Sequence, residues 1–275
     1  MRYLVGLIGS GIGPSLTPAL HEREAAELGM HCEYRRLDLD VLRVPARDVG
    51  RLLDRVRSQG WAGVNVTHPC KQLVLAHLDE LDPDARELGA VNTVVFDGTR
   101  AVGHNTDTSG FGRSLARFLP DADLDRVVLV GAGGAGAAVA HALGRAGVRS
   151  VAVVDVDPSR AAAVAAVVGG SAHGPADLPE LLADATGMVH ATPTGMAAHP
   201  GVPFDVSLLR PAQWVAEVVY RPLETTLVTA ARSRRCRVLT GGGMAVFQAV
   251  DAFRWFTGVE PDAERMLRHF EELVR

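Results

Sequence analysis

Short apolar runs alternate with amphipathic stretches along almost the whole chain. Apolar runs bounded by glycine or polar residues are typical of buried strands, and apolar positions three and four residues apart indicate helices that pack on a core. The predicted strands are residues 4–8, 63–66, 91–96, 127–130, 151–155, 188–191, 214–218 and 237–239. The predicted helices are residues 18–28, 49–59, 108–118, 135–147, 158–167 and the C-terminal stretch 244–274. This alternation predicts an α/β fold with parallel sheets.

Two domains are expected from the length of 275 residues and from the order of these elements. A polar, turn-rich segment at 120–125 separates the helix 108–118 from the strand that follows it. The C-terminal stretch contains no further strand, so we expect it to pack back on the first domain. The predicted limits are 1–106 plus 242–275 for the first domain and 107–241 for the second.

Composition narrows the possible partners. The formal net charge is −4 and the pI about 6.2, which favours neither nucleic acid nor a membrane. The three cysteines lie far apart, which argues against disulfides or a metal site and fits a reducing cytoplasm. Two apolar segments of the chain predict neither a signal peptide nor a membrane span. The first apolar run contains Gly6 and leads into a glycine-rich turn, as expected of a strand rather than a signal peptide. The charge-free stretch 127–140 is shorter than the roughly 20 residues of a membrane span.

The sharpest motif is a glycine-rich turn between a predicted strand and a predicted helix. Gly131, Gly133 and Gly136 form the pattern G-x-G-x-x-G directly after the strand 127–130. In that context the glycines let the backbone approach a pyrophosphate, and the helix amino terminus offers unpaired N–H groups. The next strand ends in Asp155, where a carboxylate can accept hydrogen bonds from the adenosine ribose. The alternative is a turn that serves only strand–helix packing, with Asp155 as a surface acid.

Asp155 also bears on the choice of nicotinamide cofactor. A carboxylate at this position repels a 2′-phosphate, whereas NADP enzymes usually offer arginine or a small polar residue there. Arg160 lies five residues further on and can reach the same region. Because the acid comes first, NAD is the predicted cofactor.

Lys71 is the only lysine among 28 basic residues. An arginine stays protonated at any usable pH, whereas burial and neighbouring charges can bring a lysine into a titrating range. Lys71 also closes the segment NVTHPCK, which begins at the end of a predicted buried strand, where ligands of α/β sheets gather. The polar segments GAVNT and GHNTD, which end at residues 93 and 107, suit a polyhydroxylated ligand. Their residues equally suit turns.

Ordered motifs over essentially the whole length resemble the shikimate dehydrogenase family. The matching segments are SLTP at 15–18, NVTHPCK at 65–71, GAVNT at 89–93, NTD at 105–107 with GF at 110–111, GAGGA at 131–135, ATP at 191–193 with GM at 195–196, VVY at 218–220 with Pro222, and Met244 with Gln248. The resemblance implies an N-terminal α/β substrate domain that is completed by C-terminal helices, and a Rossmann-type dinucleotide-binding domain.

The resemblance also assigns roles to residues. It implies that Lys71 and Asp107 form the catalytic pair, and a lysine beside a carboxylate can take the hydroxyl proton as hydride leaves for the nicotinamide. It implies that the substrate carboxylate is bound by Ser15, Thr17 and Tyr220, and the ring hydroxyls by Thr67, Asn92 and Gln248. The cofactor-binding residues that it implies are Gly131, Ala132, Gly133, Gly134, Ala135, Asp155, Arg160, Thr192, Val218 and Gly241.

The implied activity is the NAD-dependent, reversible oxidation of shikimate and quinate to their 3-dehydro products. The partner is then a small polyhydroxy carboxylate, and we expect a monomer or homodimer. Thr17 stands where biosynthetic members usually have serine, and Asp155 begins a segment DVD where NADP-linked members usually have NRT. Both differences resemble the NAD-linked quinate/shikimate dehydrogenases of actinobacteria.

Three further departures from the family pattern have no assigned meaning. Cys70 stands where an aromatic residue is common, His190 replaces an asparagine, and Glu217 replaces an aspartate. Cys70, His68 and His190 are expected to be structural, since nothing in the sequence marks an activated thiolate or a partner for either imidazole.

Other functions stay open at this point. The chain is alternatively a dehydrogenase of an amino analogue of shikimate or quinate, or an NADP-linked biosynthetic shikimate dehydrogenase. A metabolite sensor on the same fold is a further alternative. The presence of both Lys71 and Asp107, and of no appended basic DNA-binding segment, argues against it.

Overall fold

In the computed structural model, which describes residues 2–275, the chain forms two compact units. Unit 1 extends to Thr106 and resumes at Val246–Leu273, and unit 2 comprises Asp107–Ala245. The α/β class predicted from the sequence is confirmed. The predicted domain limits stay a prediction, because a compact unit need not fold by itself.

Unit 1 is built on a six-stranded sheet. Its strands are β1 (Arg2–Gly9), β2 (His31–Asp38), β3 (Gly63–Val66), β4 (Glu80–Leu81), β5 (Thr93–Asp97) and β6 (Arg100–His104). Its helices are α1 (Thr17–Glu27), α2 (Leu39–Leu42), α3 (Val49–Ser58), α4 (Cys70–Leu73) and α5 (Pro83–Leu88), with 3-10 turns at Ala46–Asp48 and Val74–His77.

The sheet of unit 1 is mixed. Its strand order is β2-β1-β3-β5-β6-β4, and the pairs β3–β5 and β5–β6 are antiparallel. The prediction of parallel sheets is therefore wrong for these two pairs, whereas the pairs β1–β2, β1–β3 and β4–β6 are parallel. A two-residue turn at 98–99 joins Asp97 to Arg100, and Gly98 adopts a φ of 59° there. So short a turn permits only an antiparallel hairpin.

Unit 2 contains a second six-stranded sheet, and its strands alternate with helices. The strands are β7 (Val127–Val130), β8 (Val151–Val154), β9 (Ser171–His173), β10 (Gly187–His190), β11 (Trp214–Glu217) and β12 (Arg237–Leu239). The helices are α6 (Asp107–Phe118), α7 (Gly134–Arg145), α8 (Pro158–Val167), α9 (Leu178–Asp184) and α10 (Thr226–Ser233), with 3-10 turns at Pro175–Asp177 and Val206–Leu208.

The sheet of unit 2 has the topology of dinucleotide-binding domains. All its strands are parallel, in the order β12-β11-β10-β7-β8-β9. Renumbered from its first strand this order is 6-5-4-1-2-3, the doubly wound order of a Rossmann fold. Every residue of β7, β10 and β11 is buried, as expected for strands covered on both faces.

The C-terminal residues form two helices. Helix α11 (Gly241–Thr257) begins in unit 2 and continues into unit 1, and α12 (Ala263–Val274) follows it. Arg265 of α12 donates to the carboxylate of Glu24 in α1 at 2.6 and 2.9 Å, and Glu24 is fully buried. No helix within residues 2–275 is both long enough and apolar enough to cross a membrane.

Candidate nucleotide and substrate sites

In unit 2, the predicted cofactor residues lie at the carboxyl ends of four strands. Gly131 follows β7, Asp155 follows β8, Thr192 lies two residues beyond β10, and Val218 follows β11. The strand order reverses between β7 and β10. In doubly wound sheets, ligands bind outside the carboxyl ends of the strands at such a reversal.

The glycines of the motif are of two kinds. A Cβ on Gly136 would overlap the carbonyl oxygen of Gly131, and one on Gly131 (φ 108°) would lie 2.7 Å from the carbonyl oxygen of Ala191. Close backbone packing therefore requires these two. A Cβ on Gly133 or Gly134 would meet no atom within 4 Å, and both residues are exposed. They leave open space beside the first amides of α7, which fits a pyrophosphate.

Asp155 contacts the glycine-rich turn directly. Its Oδ2 accepts the backbone N–H of Ala132 at 2.7 Å, and its Oδ1 accepts the backbone N–H of Asp157 at 2.9 Å. Each carboxylate oxygen has a second lone pair, so both remain able to accept a ribose hydroxyl. The acid and the glycine-rich turn, which are predicted to bind the same ligand, are thus joined by a hydrogen bond.

Arg160 is paired with a different acid. It lies in the first turn of α8, where its Nε is 3.4 Å from Oδ2 of Asp157, and its side chain is 65% exposed. Asp157 caps α8 by accepting the amides of Ser159 and Arg160. These hydrogen bonds, those from Ser159 above all, hold the pKa of the Asp157 carboxyl below its usual range. Asp157 is therefore an anion, and Arg160 forms an exposed ion pair with it.

The remaining cofactor residues of unit 2 lie at the ends of β10, β11 and β12. A Cβ on Gly241 would overlap the carbonyl oxygen of Val218, so only glycine permits this approach. Tyr220 is half-buried two residues after Val218.

His190 has partners that could not be predicted from the sequence. They are the carboxylate of Glu217 at 2.9 Å and the hydroxyl of Thr192 at 2.5 Å.

In unit 1, the two hydroxyls predicted to bind a carboxylate lie together. The Oγ of Ser15 donates to the Oγ1 of Thr17 at 3.2 Å, and the backbone N–H of Thr17 donates to the Oγ of Ser15 at 3.3 Å. Both side chains are half-buried at the start of α1. A donor-rich pair at a helix amino terminus suits an anionic group.

Two residues hold the loop 10–16, which joins β1 to α1 and carries Ser15 (the Ser15 loop). Neither of them was identified from the sequence. Asp38, at the end of β2, accepts the backbone N–H of Ile12 at 2.9 Å and that of Gly11 at 3.3 Å. Arg36 of the same strand donates to the carbonyl oxygen of Ser15 at 2.9 Å. The sequence does show an acid, Asp38, at the end of the segment YRRLD. Its position at a strand end could not be recognised, because strand β2 was not predicted.

The segment that carries Lys71 lies beside the Ser15 loop. After β3 ends, the N–H of Thr67 donates to the carbonyl oxygen of Ile8, and the N–H of Ser10 donates to that of His68. Lys71 lies in the short helix α4 and is half-buried, and its carbonyl oxygen accepts the N–H of Val91 at 2.8 Å. The carboxyl ends of β1 and β3 and the segment before β5 therefore form one polar rim.

Asn92 belongs to a buried network of polar side chains. Its Oδ1 accepts the backbone N–H of Thr106 and the hydroxyl of Thr93, each at 2.9 Å. The amide of Asn65 in turn donates to Thr93 at 3.0 Å, and its Oδ1 accepts the hydroxyl of Tyr34 at 2.7 Å. These side chains are nearly all enclosed. Several of the polar residues in these motifs thus orient one another.

The two members of the predicted catalytic pair belong to different units. Lys71 lies in unit 1, and Asp107 is the buried first residue of α6 in unit 2. Gln248 is half-buried in the part of α11 that belongs to unit 1. The roles of these residues stay a proposal.

Neither a metal centre nor a reactive thiol is evident among the described residues. No group of three or more histidine, cysteine or acidic side chains within residues 2–275 is placed to hold a metal ion. Cys70 is fully buried in the core beside Val66 and Val74, and burial raises the pKa of its thiol. It is therefore a packing residue, as expected from the sequence.

Comparisons with known proteins agree with this architecture. The family described as "Shikimate dehydrogenase substrate binding domain" matches residues 7–94, and "Shikimate 5′-dehydrogenase C-terminal domain" matches residues 241–269. The shikimate dehydrogenase (NADP⁺) of Streptomyces avermitilis is 62% identical, over 99% of this chain and 96% of that protein. The quinate/shikimate dehydrogenase (NAD⁺) of Corynebacterium glutamicum is 51% identical, over 98% of each chain.

A solved structure gives the same result at the level of the fold. The quinate dehydrogenase from Corynebacterium glutamicum in complex with NAD has a TM-score of 0.93 and 49% identity. The similarity covers 98% of this chain and 99% of that one. The chain therefore belongs to the shikimate dehydrogenase family.

Proposed function

We propose that the chain catalyses the reversible, NAD-dependent oxidation of shikimate to 3-dehydroshikimate and of quinate to 3-dehydroquinate. The observation that carries the proposal is that one chain contains both a doubly wound sheet with an open glycine-rich turn, in unit 2, and a polar rim that carries the only lysine of the chain, in unit 1. The relatives named for shikimate or quinate dehydrogenase activity match over nearly the full length of the chain.

The chain's own residues divide the chemistry as follows. Bound nicotinamide supplies the hydride acceptor. Lys71 takes the proton from the substrate hydroxyl, and the ammonium group that results stabilises the negative charge on the oxygen, while Asp107 acts with Lys71 to hold that hydroxyl. Ser15, Thr17 and Tyr220 bind the carboxylate, which fixes the position of the ring.

The ring hydroxyls are bound by Thr67, Asn92 and Gln248. Because Asn92 is already oriented by Thr93 and Thr106, its amide meets the substrate with little loss of conformational entropy.

The names of the relatives disagree about the cofactor, so the proposal of NAD rests on Asp155. The relative at 62% identity is named for NADP⁺, and the one at 51% for NAD⁺. The carboxylate of Asp155 is fixed on the glycine-rich turn, where it favours ribose hydroxyls and repels a 2′-phosphate. Arg160, which can attract a 2′-phosphate, lies beside Asp157, whose negative charge opposes a phosphate there.

A second candidate is an NADP-linked shikimate dehydrogenase. The high exposure of Arg160, and the distance of 3.4 Å to its acid, favour this alternative, since the guanidinium can leave Asp157 at small cost.

Initial rates with shikimate and quinate, each with NAD and with NADP, test both candidates. We expect kcat/KM with NAD to exceed that with NADP by more than about tenfold, which corresponds to ~1.4 kcal/mol, and we expect turnover of both substrates. A preference for NADP would establish the second candidate, and an enzyme inert with both substrates would refute the proposed activity.

A further inference from the structure

His190 and Glu217 form a buried pair at the carboxyl ends of β10 and β11, next to the residues assigned to the nucleotide. His190 ends β10, Glu217 ends β11, and the two are direct neighbours in the parallel register. Both side chains are completely buried, and Nδ1 of His190 lies 2.9 Å from Oε1 of Glu217. Both residues depart from the family pattern, in which asparagine is usual at position 190 and aspartate at position 217. Two departures that had no meaning in the sequence are thus in contact.

The carboxylate of Glu217 ties three segments together. Besides His190, it accepts the backbone N–H of Val219 and the hydroxyl of Thr225, each at 3.0 Å. Thr225 also caps α10 by accepting the N–H of Val228. The segment immediately after β11 and the start of α10 are therefore fixed on one buried acid. That segment carries Val218 and Tyr220, to which ligand contacts are assigned.

The pair also determines the direction of a hydroxyl. A carboxylate can only accept, so the imidazole proton of His190 lies on Nδ1, toward Glu217. In the neutral ring the Nε2 is then an acceptor, and the hydroxyl of Thr192 donates to it at 2.5 Å. The oxygen of Thr192 also accepts the backbone N–H of Thr194 at 3.2 Å. Its proton thus points inward, and its remaining lone pair can accept a hydrogen bond.

We propose that His190 and Glu217 are positioning residues that present the hydroxyl of Thr192 to the nicotinamide nucleotide as a hydrogen-bond acceptor. The proposal rests on the proposed function only in taking Thr192 as a nucleotide contact. A ligand group that donates, such as a carboxamide N–H, is recognised by this arrangement, whereas a group that only accepts is not.

The exchange of both residues together has a physical reason. Histidine and glutamate extend further from the backbone than asparagine and aspartate. Returning one of them alone leaves buried polar atoms without partners, which is costly. Returning both lets the two shorter side chains meet each other across the parallel register, although the contacts of Glu217 with Val219 and Thr225 are not restored.

The test uses His190→Asn, Glu217→Asp and the double variant, with NADH as the probe. Its dissociation constant is measured by fluorescence titration without substrate, so that the result does not depend on turnover. We expect each single variant to weaken NADH binding about tenfold or more, and the double variant to bind NADH more tightly than either single variant. The KM for shikimate should change less than twofold in all three.

Gln213→Asn is the matched control. Gln213 directly precedes β11, at the opposite end of this strand, and its buried amide donates to the carbonyl oxygens of Leu182 and Ala185 at 2.9 Å. This variant should lower the Tm without weakening NADH binding. If the His190 and Glu217 variants behave as the control does, the pair is merely structural and the proposal is wrong.

A spectroscopic measurement tests the proton assignment separately. Nitrogen-15 chemical shifts of His190 in the wild-type protein should report a protonated Nδ1 and an unprotonated Nε2. A ring with protons on both nitrogens would make Thr192 a donor and overturn the proposal. An enzyme that binds NADH as expected but oxidises neither substrate would refute the proposed function and leave the positioning pair intact.

Discussion

The polar rim of unit 1 and the glycine-rich turn of unit 2, the two proposed ligand sites, are organised in opposite ways. In unit 1, side chains such as Asn65, Asn92 and Thr93 are buried and bind one another. In unit 2, Gly133 and Gly134 are exposed and face open space. Side chains that are held in place select a ligand by the arrangement of its hydroxyls, whereas backbone N–H groups donate to any phosphate. Unit 1 should therefore determine the substrate, and a few side chains of unit 2 the cofactor.

The strongest test of this difference is the lysine of unit 1. Lys71→Ala should lower kcat by at least ~100-fold, the usual effect of losing a general acid or base, with a smaller effect on binding. Lys71→Arg keeps the charge, but a guanidinium stays protonated and cannot take the hydroxyl proton, so this variant should be almost as impaired. Steady-state kinetics with shikimate measure both, and an arginine variant with near wild-type kcat would refute proton transfer by Lys71.

Acid should affect unit 1 through a buried histidine. His21 of α1 is enclosed by the rings of Tyr34, Phe253 and Phe256, and burial lowers its pKa from 6.5 to about 3. The folded state therefore binds fewer protons than the unfolded state between these pH values. The stabilisation is complete above pH 6.5 and is lost as the pH falls, by about 2 kcal/mol at pH 5.

Urea unfolding at several pH values measures this effect. His21→Leu should flatten the pH dependence between 7 and 5, because the titrating group is gone. Leu20→Ala, at a neighbouring buried position of α1, should lower the free energy of unfolding equally at every pH. A wild-type slope in the His21→Leu variant would show that other groups cause the acid sensitivity.

Most of unit 2 could be predicted from the sequence, and much less of unit 1. β7, β12 and α8 begin and end where predicted, and the buried parallel strands are continuous apolar runs that stand out from their flanks. Of the four strands that were missed, β2, β4 and β9 lie at sheet edges, where one side of a strand faces solvent and polar residues are tolerated. β2 reads HCEYRRLD, which has no apolar run.

The candidate sites, like the fold, could be predicted from the sequence only in part. The glycine motif is local, so its chemistry could be predicted from residues that are adjacent in the chain. The partners that fix the site are distant. Asp38 binds an amide 26 residues away, and Glu217 binds a histidine 27 residues away. Nothing in a single sequence relates such positions before the strands are aligned, so the network of Asn92 and the pair at His190 appeared only in the structure.

The cofactor preference tests the role of unit 2. Asp155→Ser removes the charge that opposes a 2′-phosphate, so the ratio of kcat/KM for NAD to that for NADP should fall about tenfold, or ~1.4 kcal/mol. Asp184→Ser removes an acid at the end of α9, before the amino end of β10, and should leave the ratio unchanged. If both variants change the ratio alike, net charge rather than the position of Asp155 sets the preference.

The smallest expected effect concerns the choice between two substrates within unit 1. Quinate carries a tertiary hydroxyl beside its carboxylate, where shikimate has a planar carbon, so the carboxylate pocket must hold a bulkier centre. The β-branch of Thr17 restricts its rotamers, and the contact with Ser15 fixes its hydroxyl further. Thr17→Ser keeps the hydroxyl and loses this restraint. We expect it to lower kcat/KM for quinate about fivefold more than for shikimate, or ~1 kcal/mol.

Thr67→Ser provides the matched control for this prediction. It makes the same chemical change at the half-buried threonine assigned to a ring hydroxyl, which both substrates share. It should therefore lower kcat/KM for the two substrates to a similar degree. If Thr17→Ser likewise affects both substrates equally, Thr17 binds the carboxylate without discriminating. The loop that Arg36 and Asp38 hold in place would then be the next region to vary, because it carries Ser15, the other hydroxyl assigned to the carboxylate.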